Sequence, residues 1–163
     1  MAYGTGGLFA DMLEAGYKPV GLDTSPYMAR LAGRRLRRRG LPLLLTRGRA
    51  QSLPFPSEYF ATVIATFPTP FIFEAPTLDE IYRILRREGQ LVVVIEGHLQ
   101  GTRPLRMLIN WLYQVSNQRN YQGTRMLQLL DDHQLAAHWQ LVEHNGIQAR
   151  LLIASKQVSL FSE

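Results

Sequence analysis

The chain has 163 residues, 46% hydrophobic and 19% charged, a balance that fits one globular domain (residues 1–163) and excludes a disordered or fibrous chain. It contains no cysteine, which excludes disulfide frameworks and thiolate metal sites. No apolar run nears the roughly 18 residues of a membrane span and no basic-then-apolar leader opens the chain, so a cytoplasmic, metal-independent protein is expected, with a formal net charge of +5.

In chain order, Leu8–Ala15 reads as a helix that stops near Gly16, a C-cap glycine. Pro19–Asp23 is a short apolar run closing on an acid. Ser25 then caps a helix over Ser25–Arg39, with Pro26 in its first turn, where a missing N–H costs nothing. That helix carries Arg30, Arg34, Arg35, Arg37, Arg38 and Arg39, while Met28, Leu31, Ala32 and Leu36 keep core spacing. Two readings of the arginines stand. One is a solvated outer face, which leaves nucleic acid no part. The other is attraction to nucleic acid or an anionic membrane.

Leu43–Thr46 and Phe60–Phe67 read as strands. Ala75–Arg87 has Leu78, Ile81, Tyr82 and Leu85 at helical spacing before a stop at Gly89. Leu91–Ile95 is an apolar, mostly β-branched run, the mark of a strand buried on both faces. Such alternation implies a parallel sheet flanked by helices. After helical stretches at Pro104–Val115 and Thr124–Trp139, the runs Gln140–His144 and Ile147–Ser155 flank Asn145-Gly146, a hairpin signal. The sheet is therefore expected to gain an antiparallel edge.

Tyr3-Gly4-Thr5-Gly6-Gly7 stands just before the first helix. Glycines there let backbone N–H groups approach a ligand, and the helix N-terminus adds a favourable dipole. Asp23 ends the next strand, at the separation of a carboxylate that accepts hydrogen bonds from ribose hydroxyls. A turn or N-cap role beside Thr24 and Ser25 is the other reading of Asp23. Together the two features point to a ribose-containing cofactor.

These residues, with several others, resemble the class I S-adenosylmethionine-dependent methyltransferases of the ubiquinone/menaquinone-biosynthesis type. The resemblance is carried by Gly4-Thr5-Gly6, Gly21-Leu22-Asp23-Thr24-Ser25-Pro26-Tyr27-Met28 and Gly48-Arg49-Ala50-Gln51-Ser52-Leu53-Pro54-Phe55-Pro56. It continues in Phe60-Ala61-Thr62-Val63-Ile64, Ile84-Leu85-Arg86-Arg87-Glu88-Gly89-Gln90-Leu91 and Leu151-Leu152-Ile153-Ala154-Ser155-Lys156. It implies a Rossmann-like, doubly wound, mostly parallel α/β sheet closed by an antiparallel C-terminal hairpin. Residues 1–100 would be the cofactor half, 101–139 a helical insertion or lid, and 140–156 the closing strands.

The implied cofactor is S-adenosylmethionine. Gly4, Thr5 and Gly6 would turn beneath its methionine part, and Asp23, with Thr24 beside it, would bind the ribose hydroxyls. Ala50 would offer its backbone to the adenine edge. Leu22, Met28 and Leu53 are either apolar walls for the adenine or ordinary core. Phe67, opening the stiff loop Phe67-Pro68-Thr69-Pro70-Phe71, falls where the family lines the methyl-transfer site.

Four departures from the family pattern stand out. Ala2 replaces the first glycine of the family's GxGxG, Ala61 replaces an aspartate, and the family's first strand would precede Met1. That missing strand is expected to leave a gap in the sheet and a compromised, N-terminally truncated domain. Arg49 replaces an acidic residue and cannot accept from the adenine amino group, whereas Gln51 can through its amide oxygen.

Glu96 and His98 fall just past the Leu91–Ile95 strand, on the edge where such folds bind ligands. They read either as a polar loop pair or as a catalytic base for an acceptor that keeps its proton. His133, His138 and His144 lack metal-ligand spacing. Leu105, Leu108, Ile109 and Leu112 form an apolar stripe that serves as a lid over an apolar acceptor, packs on the sheet, or touches a membrane surface peripherally.

The expected partner is a small-molecule methyl acceptor. Its identity, the oligomeric state and the choice of O-, N- or C-methylation are not written in the sequence. Competing classes are a non-catalytic, partner-binding remnant of the fold and a nucleic-acid-modifying enzyme. A nicotinamide-dependent oxidoreductase is a further alternative, against which Phe9 stands where a dinucleotide fingerprint wants glycine.

Overall fold

The computed structural model describes residues 3–66, 70–99, 123–144 and 147–157, and the chain divides into two compact units, Met1–Phe55 and Pro56–Glu163.

The first unit runs α1 (Gly7–Glu14), β1 (Gly21–Asp23), α2 (Pro26–Arg38) and β2 (Leu45–Arg47), with β1 and β2 pairing in parallel, Leu22 opposite Thr46. Ser25 caps α2 as its position predicts: its Oγ accepts from the Met28 N–H at 3.3 Å, with Pro26 just inside. Such a cap stabilises a helix by about 1 kcal/mol. Both helices end in the same way. Gly16 (φ 85°) and Gly40 (φ 68°) take the left-handed conformation. In α1 the Tyr17 N–H then reaches the Met12 carbonyl, and in α2 the Leu41 N–H reaches that of Leu36. Those carbonyls would otherwise lack an intrahelical partner.

Phe9, Ala10 and Leu36 form the buried cluster between the helices, with Leu13, Leu41 and Leu45 packed against it. Arg39 reaches back to Asp11 (3.1 Å) and Glu14 (3.3 Å). Those exposed pairs link the C-terminal turns of α1 and α2 but add little to stability.

The second unit contains β3 (Phe60–Thr66), a 3-10 turn (Pro70–Phe73), α3 (Ala75–Ile84), β4 (Leu85–Leu99), α4 (Gly123–Asp132), β5 (Leu135–His144) and β6 (Ile147–Lys156). Its sheet has the order β3-β4-β6-β5. β3 and β4 are parallel, joined through α3, and β6 is antiparallel to both β4 and β5. The parallel pairs, β1-β2 and β3-β4, joined through helices, and the antiparallel hairpin at the edge of this sheet are thus present as expected. The tip of that hairpin, Asn145-Gly146, lies outside the described residues. Leu78, Ile81, Leu85, Leu91, Val93, Met126, Leu130, Leu135 and Leu152 are fully buried.

Three expectations need correction. The helix from Ala75 ends at Ile84, not Arg87. Leu85 is already extended and pairs with Phe60, and Arg86–Gly89 form an irregularity in which Glu88 has φ 58°. The helix expected over Thr124–Trp139 stops at Asp132. Gln134 turns left-handed (φ 58°), and Leu135 to Trp139 instead pair with Lys156 to Leu152. Here the hydrogen bonds offered by β6 outweigh a helical spacing that local residues satisfy equally well. The third correction concerns burial. Leu91 and Val93 are buried, while Val92, Val94 and Ile95 are half-buried, so β4 is not covered equally on both faces.

Lys156 closes the core: its Nζ donates to the Leu85 carbonyl at 2.7 Å and lies 4.4 Å from the Tyr82 ring centroid. His133 Nδ1 lies 2.8 Å from Asp79 Oδ1, a contact between α3 and the end of α4. The stretch Pro104–Val115, with its apolar stripe, lies outside the described residues. Among the described residues no helix is long and apolar enough to cross a membrane, and no group of acids and histidines is placed to hold a metal ion.

Candidate functional site

Among the residues expected to hold a cofactor, the glycine turn, Asp23 and the loop after β2 meet at the C-terminal end of β1. Gly4 (φ 52°) and Gly6 (φ 75°) shape a turn closed by the Gly6 N–H on the Tyr3 carbonyl at 2.9 Å, and Gly6 is the N-cap of α1. At Gly6 two needs coincide. Its φ lies where side chains are strained, and a Cβ would sit 2.8 Å from the Ala32 Cβ of α2. Gly4 differs, since a Cβ there would meet nothing within 4 Å.

Asp23 is the hub. Its Oδ2 accepts from the Gly4 N–H at 3.0 Å and its Oδ1 from the Ser25 N–H at 2.9 Å. Its own carbonyl accepts from the Gly48 N–H at 3.2 Å. One residue thereby ties together the glycine turn, the start of α2 and the loop after β2. The turn role and the ligand role weighed for Asp23 do not compete. Each carboxylate oxygen has a second lone pair after accepting one backbone N–H.

The loop after β2 begins at Gly48, where a Cβ would lie 2.9 Å from Leu22 Cδ1. Ala50 is 6% exposed, and among the described residues its backbone N–H and carbonyl have no hydrogen-bond partner. Gln51 is half-buried beside it, and Leu53 is buried. Of the three candidate adenine walls, Leu22 and Leu53 are buried and Met28 is half-buried. Thr24 and Thr5 are exposed. Thr5 Oγ1 accepts from Arg35 at 3.2 Å, so one arginine of the basic helix braces the glycine turn.

Two contributors escaped the sequence reading. Tyr3 occupies the variable position ahead of Gly4, and its N–H reaches the Leu22 carbonyl at 3.3 Å. Its hydroxyl is buried without a partner among the described residues. Burial holds the Tyr3 phenol above its usual pKa, the Asp23 charge adds to that, and Arg47 opposes it. The second is Gly48, whose amide binds the Asp23 carbonyl. Only a large aromatic inside a glycine motif would have flagged the first, and the second opens the Gly48–Pro56 segment of the resemblance without a role of its own.

In the second unit, Glu96 and His98 are not loop residues past a strand. Both lie within β4, which runs on to Leu99, with Glu96 opposite Arg150 and His98 opposite Gln148. The ladder shifts register between Val94 and Glu96, so the two acids-or-bases follow an irregularity in the strand. β6 is long enough to keep pairing there, which is why β4 does not end at Ile95. Phe67 lies outside the described residues.

A family model described as a methyltransferase domain matches residues 1–93. No curated protein matches the chain. Among solved structures, the YcgJ protein from Bacillus subtilis superposes with a TM-score of 0.69 at 16% identity, covering 97% of this chain and 90% of that one. A SAM-dependent methyltransferase from Methanosarcina mazei gives 0.67 at 17% identity, covering 96% and 90%. Geranyl diphosphate methyltransferase in complex with SAM gives 0.66 at 16% identity, covering 95% and 75%. These likenesses establish a shared fold. With the family match spanning more than half of the chain and taking in the glycine turn, Asp23 and Ala50, the chain belongs to the methyltransferase domain family.

Proposed function

We propose that the chain transfers the methyl group of S-adenosylmethionine to a small apolar molecule. The observation that carries this reading is the Asp23 hub, which sets a carboxylate with spare acceptor capacity beside a glycine turn and the Ala50 backbone, which has no hydrogen-bond partner among the described residues. The residues fit the cofactor. Asp23 and Thr24 would hold the ribose hydroxyls, Gly4 the methionine part over its open side, and the Ala50 backbone, with Gln51, the adenine edge. Met28 would pack against the base. When bound, the cofactor supplies an electrophilic methyl group on a sulfonium.

The protein's part is then to position the acceptor and exclude water, which contributes much of the rate in such displacements. Where the acceptor keeps its proton, Glu96 or His98 near the C-terminal end of β4 takes it. Phe67 would line the transfer site. Two observations support an apolar acceptor: the Leu105, Leu108, Ile109 and Leu112 stripe, and a solved relative of the fold named for geranyl diphosphate. Phe9 argues against a dinucleotide. It is buried against α2, and its ring would lie 3.1 Å from a Cβ at Gly21, so it fills the place where that fingerprint needs glycine.

The test is calorimetric titration of the chain with S-adenosylmethionine, S-adenosylhomocysteine and NAD. S-adenosylhomocysteine is expected to bind and NAD not to. Asp23→Ala is expected to weaken S-adenosylhomocysteine by about 1.5–3 kcal/mol, the usual loss for hydrogen bonds to a charged acceptor. Unchanged affinity in the mutant removes Asp23 from the site. Absence of binding by either sulfur compound leaves a non-catalytic module of the same fold.

A further inference from the structure

The first unit has a second end, opposite Asp23. Because β1 and β2 are parallel, the segments entering both strands lie at one end of the pair, and the Gly21 N–H bonds the Leu44 carbonyl at 2.9 Å. The last turns of α1 and α2 reach the same end, held by Arg39 on Glu14. Tyr17 and Lys18 follow α1, Arg37 and Arg38 close α2, and Leu43 and Leu44 lead into β2.

Exposure sorts these residues into two kinds. Leu41 and Leu45 turn inward onto the Phe9–Leu36 cluster. Leu43, Leu44 and Tyr17 turn out, at 44%, 46% and 65% exposed. The arginines divide likewise. Arg35 and Arg39 are occupied by Thr5 and by Asp11 and Glu14. Arg37 and Arg38 are exposed and have no partner among the described residues. An exposed cationic pair, without a partner among the described residues, therefore shares this end of the unit with exposed leucines and a tyrosine.

The geometry points to docking of this end on the surface of an anionic lipid bilayer. Basic side chains gain from the negative surface potential, and leucine and tyrosine gain at the boundary between headgroups and acyl chains. Both signals are needed, since either alone gives weak attachment. The phosphate backbone of a nucleic acid would satisfy the arginines and leave the leucines in water. A second copy of the chain would oppose one cationic face with another. Docking by this end places the bilayer away from the glycine turn and Asp23, which lie at the other end of β1.

Flotation of the full chain with vesicles tests the inference, using phosphatidylcholine alone and phosphatidylcholine mixed with phosphatidylglycerol. Binding is expected on the mixed vesicles only, falling as salt rises. Arg37→Gln with Arg38→Gln should lower the partition by about 25-fold, at about fivefold per basic residue, while Arg37→Lys with Arg38→Lys should retain it. Leu43→Ser with Leu44→Ser should weaken it on the order of tenfold, with circular dichroism unchanged. Equal binding to neutral vesicles overturns the inference, as does no binding at low salt or full binding by the serine variant. Displacement from the vesicles by duplex DNA overturns it in favour of a nucleic-acid face.

Discussion

The turn around Asp23 and the far end of β4 differ in what builds them. Around Asp23 every part comes from the first 55 residues, within short loops that neighbouring backbone groups hold in place. The stretch of β4 carrying Glu96 and His98 exists because β6, far later in the chain, continues to pair with it, Glu96 opposite Arg150 and His98 opposite Gln148. A site made of local turns is specified by a few residue types with special backbone needs. A site made by strand pairing depends on which distant edge is available.

The largest effect is expected where the first region has least freedom. Gly6→Ala places a Cβ against Ala32 and a side chain at φ 75°. It should lower unfolding stability by roughly 2–4 kcal/mol in a urea titration, the sum of left-handed strain and overpacking. Gly4→Ala meets no neighbour and should cost only about 1–2 kcal/mol of strain. Equal losses would mean that the close approach to α2 does not constrain the turn.

A smaller effect of opposite sign sharpens the other side of the comparison. Glu88 is exposed with φ 58° in the irregularity that separates α3 from the main β4 ladder. Glu88→Gly relieves that strain and should stabilise by about 0.5–1 kcal/mol. Were this residue in a helix running to Arg87 and beyond, glycine would instead cost about 1 kcal/mol. The sign of the change in melting temperature separates the two.

The smallest effect concerns Tyr3. Its raised pKa means that the unfolded chain loses the phenolic proton first as pH climbs. The folded state then binds more protons, so stability is unaffected below about pH 10 and falls as pH rises through the folded value. Tyr3→Phe should remove that alkaline loss. At pH 8 it should be neutral or stabilising by up to about 1 kcal/mol, because an unpartnered buried hydroxyl is deleted. An alkaline limb of the melting curve that persists in the phenylalanine variant would clear Tyr3 of the effect.

The sequence by itself determined the features set by single residues. Ser25 and Pro26 announce the start of α2, Gly16 ends α1, and Gly4 and Gly6 followed by Asp23 locate the candidate site. Each has a conformational or hydrogen-bonding need met within a few residues or at one expected contact. Only the tertiary structure decided the rest. Leu135 to Trp139 fit a helix as well as a strand until β6 offers its edge, and Glu96 and His98 read as loop residues until the same strand extends β4 past them. Nor does the spacing of Asp23 reveal that its carbonyl holds Gly48 while its carboxylate holds Gly4 and Ser25. Helix caps and glycine turns are local equilibria that residue type biases directly. Strand identity and loop assembly are settled by hydrogen bonds between segments far apart in the chain, and no local pattern encodes the partner.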